Sequence, residues 1–136
     1  MAVYQKFNSF VEALAEKKHD LQGDTLKVAL TAVAPVAGNA VLADLTEIAY
    51  TNLSDRTLTV ASSGQTAGTY KLVINDLTLS ASGGAVATFR YIAIYNDSAT
   101  NKELIGFFDY GQDVTLADGD QFVLDFDAST GVIQIV

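Results

Sequence analysis

The sequence predicts a mainly β protein, an antiparallel β-sandwich or open barrel with one N-terminal α-helix. Three observations carry that expectation. Apolar residues recur with a helical period in the N-terminal segment and alternate from Thr25 onward. Alanine, valine and threonine outnumber lysine and glutamate, which suits pleated, half-buried surfaces. Several further alternating segments are separated by short clusters of Gly, Asn, Asp and Ser that favour turns.

In "YQKFNSFVEALAEKKHDLQG", Phe7, Phe10, Val11 and Leu14 fall at the i, i+3, i+4, i+7 spacing of one helical face. One amphipathic helix is therefore expected over residues 4–21. Lys17, Lys18 and His19 fall in its last turn, where positive charge suits the C-terminal end of the macrodipole, and Gly23 is the expected stop. His19, among charged neighbours, reads as a solvated helix terminus.

Leu26, Val28 and Leu30 alternate with Lys27, Ala29 and Thr31, which marks the first strand. "APVAGNAVLADLTEIAY" holds the sole proline and a Gly-Asn pair, and reads as a long connection with one helical turn around Leu42 to Leu45. Further strands are expected in "RTLTVAS", "TYKLVINDLTLSA", "AVATFRYIAIYND", "KELIGFFDYG", "DQFVLDFD" and "GVIQIV". Turns are expected at Ser63-Gly64, Ser82-Gly83-Gly84, Asn96-Asp97-Ser98, Asp118-Gly119 and Ser129-Thr130-Gly131. With no repeat, linker or low-complexity stretch, residues 1–136 read as one domain, the β part over 25–136.

Composition narrows the function. The chain has 136 residues, 16 acidic and 8 basic, for a formal charge of −8, which repels phosphate backbones and anionic lipid. Nucleic acid and membrane surfaces are therefore not expected partners. No cysteine is present, so disulfides, thiolate nucleophiles and cysteine zinc sites are excluded. The opening residues lack the charged region and apolar run of a secretory signal, which predicts a protein made in a cytoplasm.

Candidate chemistry centres on the C-terminal "DGDQFVLDFDASTGVIQIV". Asp118 and Asp120 flank Gly119 in an expected tight turn, while Asp125 and Asp127 share the polar face of a strand with Gln121 and Val123. A calcium loop would need a terminal bidentate glutamate that "DYGQDVTLADGDQF" does not supply. A glycosidase would need two of these carboxylates in one pocket with separated pKa values. One histidine leaves a Ser-His-Asp triad or a histidine metal site without its usual parts. "SASGGAVATF" lacks the lysine of a phosphate loop and reads as a hairpin turn. No catalytic residue, metal ligand or cofactor is expected.

The blocks "FVEALAEKKHDL", "DTLKVALT", "VLADLTEIAY", "TFRYIAIYND", "LIGFFDYG" and "VTLADGDQFVLDFD" together resemble a family of small virion structural proteins of tailed bacteriophages, often described as head decoration or cement proteins. The likeness spans nearly the whole chain in the same order. It implies a non-enzymatic protein on the outer surface of the capsid, bound to the major capsid protein and to copies of itself as a small oligomer. A tail or neck component, or a β-sandwich module that binds a receptor or carbohydrate through Tyr91, Tyr95 and Tyr110, are the alternatives. Expected partner contacts are the N-terminal residues Val3, Tyr4 and Phe7, the loop residues Pro35, Val36 and Leu42, and the terminal-strand residues Ile135 and Val136.

Overall fold

A computed structural model describes residues 2–136. The strands are β1 (Gln5–Lys6), β2 (Leu26–Thr31), β3 (Val60–Thr66), β4 (Thr69–Ile74), β5 (Leu77–Ser80), β6 (Phe89–Asn96), β7 (Leu104–Val114), β8 (Gln121–Leu124) and β9 (Ile133–Ile135), with one helix, α1 (Phe10–Ala15). A single 3-10 turn, Leu42–Asp44, lies where the long connection was expected to coil. The strands pair antiparallel in three sheets, ordered β1-β7-β6-β2, β3-β4-β9 and β5-β8.

Alternation along β2 decides how the layers stack. Leu26, Val28 and Leu30 enter a core shared with Leu72 and Ile74 of β4, Leu79 of β5, Ile92 and Ile94 of β6 and Ile105 of β7. The two smaller sheets thus close over one face of the four-stranded sheet, as in a sandwich. Ala29 points the other way, into a second cluster with Phe7, Ala93, Tyr95, Leu104 and Phe107, roofed by Leu42 and Leu45 of the long connection. Fully burying each large side chain contributes about 1.5–3 kcal/mol. The four-stranded sheet is consequently apolar on both faces.

The edges are managed differently. Residues 47–58 seal the outer edge of β2, with Leu58 N–H donating to Leu26 O (2.8 Å), Val28 N–H to Arg56 O (3.1 Å) and Ile48 N–H to Leu30 O (3.0 Å). Arg56 fixes this flap by donating to Val28 O at 2.7 Å and lying 3.6 Å over the Tyr50 ring. The terminal strand β9 pairs with β4 on one side and is an edge on the other, so it is completed at home along one side only.

The N-terminal helix is shorter than expected. Residues 4–7 run extended, and β1 pairs Gln5 with Phe107 and Lys6 with Gly106 on β7. Phe7 belongs to the second cluster and Phe10 to the main core, so their helical spacing joins two different environments. The helix stops before Gly23 because Lys17 takes the left-handed conformation (φ 67°), with Lys18 N–H donating to Ala13 O and Lys17 N–H to Leu14 O.

Two turns also differ from expectation. Ser63-Gly64 lies inside β3, and the β3–β4 hairpin turns at Ala67-Gly68, both at positive φ as a two-residue hairpin loop requires. Ser82-Gly83-Gly84 closes no hairpin, because β5 and β6 lie in different sheets. Asn75-Asp76 likewise divides the expected continuous strand over 69–81 into β4 and β5, which change sheets.

Candidate interaction surface

The four C-terminal aspartates separate by their partners. Asp120 accepts from Ala117 N–H at 3.0 Å and Asp118 from Gly83 N–H at 3.1 Å, on either side of Gly119 at φ 89°. Their turn role is as expected. Asp127 is not on a strand: β8 ends at Leu124, and Asp127 instead organises the turn before β9. It accepts from Ser129 N–H (2.7 Å), Thr130 N–H (3.1 Å) and the Thr130 hydroxyl (2.8 Å). The Thr130 and Ser129 donors hold its carboxyl below the usual carboxylate range. Asp125 is exposed just beyond β8. Among the described residues, no three His, Cys, Asp or Glu side chains come together in a metal-holding group.

His19 departs from its expected solvated position. It is 6% exposed and its ring packs 5.5 Å from that of Phe10. The loop after α1 folds inward to do this, burying Leu21 beside it.

The residues expected to meet a partner do not share one surface. Val3, Val36 and Val136 are exposed, and Ile135 is partly so. Phe7 and Pro35 are buried, which removes both side chains from any contact. Tyr4 is half-buried: its hydroxyl donates to Ile105 O at 3.4 Å, and its ring meets Phe108 edge-on at 5.7 Å. Burial pushes its phenol well above the ordinary value. Leu42 is spent on the second cluster, on the opposite side of the four-stranded sheet from β9. Nor do Tyr91, Tyr95 and Tyr110 make one platform, since Tyr95 is buried in the second cluster and Tyr110 stands at a different place.

That place is a groove of about 300 Å³ between β7 and β8, lined by Ile92, Phe108, Tyr110, Phe122, Val123 and Phe126 among others. It exists because β1 pairs with β7 only at Gly106 and Phe107, while β8 pairs with β5 and not with β7. Aromatic edges build its walls: Tyr110 meets Phe122 at 5.0 Å, Phe122 meets Phe89 at 5.6 Å, and Phe108 meets Phe126 at 6.2 Å. Val123 (54% exposed) and Tyr110 (43%) stand open to solvent.

The Asp125 carboxylate borders this apolar floor. Asp109, between Phe108 and Tyr110 on β7 but not part of the groove lining, is bound by Arg90 through two bonds of 2.9 and 3.2 Å. Arg90 and the Gly111 N–H hold the Asp109 carboxyl below its ordinary range. The arrangement has the features of a contact surface, an apolar strip beside strand edges with room for added backbone. Its signal in the sequence is Val123, an apolar residue on the polar face of β8 between Gln121 and Asp125. No protein-family model matches the chain, and neither a curated protein nor a solved structure is detectably similar to it.

Proposed function

We propose that this chain is a non-enzymatic structural protein of a tailed-phage particle. In this reading it is a decoration protein on the outer surface of the head, bound to the major capsid protein and to copies of itself. The observation that carries the binding role is the β7–β8 groove, where apolar side chains and strand edges lie open together. The assignment to a phage head rests on the resemblance of the blocks quoted above.

Cementing a shell means adding binding free energy across seams between its subunits. Each contact can be modest, since micromolar affinity, about 8 kcal/mol, suffices when the partner is abundant and sites are many. A rigid sandwich suits that task, because docking then orders few groups. The charge of −8 favours an outer wall over one facing packaged DNA.

Cryo-electron microscopy of the particle that carries the chain tests this reading. Density for the sandwich at regular positions on the outer head lattice is the expected result. Absence from the shell surface overturns it, and a ring or tube of copies at the neck or tail transfers the same docking role there.

A further inference from the structure

The side chain of Asn96, at the end of β6, is wholly buried and makes bonds that leave its amide one orientation. Its Oδ1 accepts from Ser98 N–H at 2.9 Å, so its Nδ2 must face the other way. There Nδ2 donates to Asp24 Oδ2 at 2.7 Å and to His19 Nδ1 at 3.0 Å, with Lys18 O at 3.4 Å. This network assigns the tautomer: Nδ1 accepts and the proton of the neutral ring sits on Nε2. The buried Nε2 has no hydrogen-bond partner among the described residues.

The same network ties down the whole turn after α1. Asp24 Oδ2 also accepts from Asp20 N–H at 2.9 Å, and Asp20 Oδ1 accepts from the amides of Gln22 and Gly23. His19 and Leu21 from this turn line a depression with Leu14 of α1, Tyr70 of β4 and Ile135 of β9. Releasing the turn would therefore uncover apolar surface beside the terminal strand.

We propose that the buried His19–Asn96 pair is an acid-sensitive latch: the neutral imidazole holds residues 17–24 against the end of β6, and its protonation releases them. A second ring proton would place a donor on Nδ1 facing the Nδ2 donor of Asn96, which cannot turn without abandoning Ser98. The charges bearing on the ring are the carboxylates of Glu103, ahead of β7, and Asp24, ahead of β2; Asp20 and Tyr70 border the same depression. Both Glu103 and Asp24 favour the cation, but burial opposes it more strongly and sets the ring below its ordinary value of 6.5.

The released turn, with an exposed imidazole, binds the proton more readily than the latched one. The latch is therefore fully closed above about pH 6.5 and weakens as pH falls, roughly tenfold per pH unit until the latched ring itself titrates. The chain has one histidine, so its imidazole resonances are unambiguous.

The test follows the full chain by NMR and by amide hydrogen exchange corrected for intrinsic rates, from pH 7.5 to pH 5. The expected result is a His19 titration midpoint below 6.5 and opening of residues 17–24 that rises at least fivefold over that range. His19→Gln, which keeps an acceptor for Asn96 and cannot take the proton, is expected to flatten that rise. An unchanged opening in the native chain, a midpoint at or above 6.5, or the same acid response in His19→Gln overturns the proposal.

Discussion

The Tyr4 ring lies across Gly106 so closely that a methyl group at position 106 would occupy the same space. Gly106 is thus a notch that seats the N-terminal arm against β7, beside the two residue pairs of β1. Gly106→Ala is expected to expel Tyr4 and loosen β1, costing about 1–3 kcal/mol in urea unfolding. Faster amide exchange at residues 4–6 should accompany it. Gly38→Ala is the control, because a Cβ there meets nothing within 4 Å.

Truncating Phe7 separates a core role from a contact role. Its side chain is fully buried and its ring lies 4.9 Å from that of Phe107. Phe7→Ala is expected to destabilise the fold by about 3–5 kcal/mol in chemical denaturation. Val36→Ala, at an exposed loop position, should stay within about 0.5 kcal/mol.

Lys17 and Ala67 are among the non-glycine residues held at positive φ. Lys17 (φ 67°) ends α1 and Ala67 (φ 52°) turns the β3–β4 hairpin, both in a region that disfavours side chains. Lys17→Gly and Ala67→Gly are each expected to raise stability by about 0.5–1 kcal/mol, after the added chain entropy of glycine is offset. Thermal unfolding of each single variant measures it.

The mainly β class was legible because Leu26, Val28 and Leu30 alternate along β2 and Phe122 and Leu124 along β8, and the 3-10 turn because Leu42 and Leu45 form a short apolar stretch inside the long connection. The helix was overextended because Phe7 keeps helical spacing with Phe10 while packing on the other side of a sheet. Its end was misplaced because Lys17 takes a conformation that composition assigns to glycine. The β3–β4 turn hid for the same reason: Ala67 stands where Asn or Gly is usual, and Ser63-Gly64 imitates a turn within a strand.

The surface was less legible than the fold. Of the residues expected to meet a partner, Val36 and Ile135 are exposed, whereas Phe7 and Pro35, equally apolar, are buried. Nothing local distinguishes them, and the burial of Phe7 depends on where the four-stranded sheet places its second apolar face. The groove arises from an absent pairing between β7 and β8, which no single segment encodes. His19 was misread because its burial depends on Asn96, far away in sequence.

Docking on a phage head through the β7–β8 groove is the proposed role. Its most direct test is co-sedimentation of the labelled chain with heads stripped of decoration, for the native protein, for Val123→Glu in the groove and for Val33→Glu at an exposed loop site. Saturable binding of the native chain and of Val33→Glu is expected, with at least a tenfold loss of affinity, about 1.4 kcal/mol, for Val123→Glu. Equal binding by Val123→Glu, or no binding by the native chain, would contradict it.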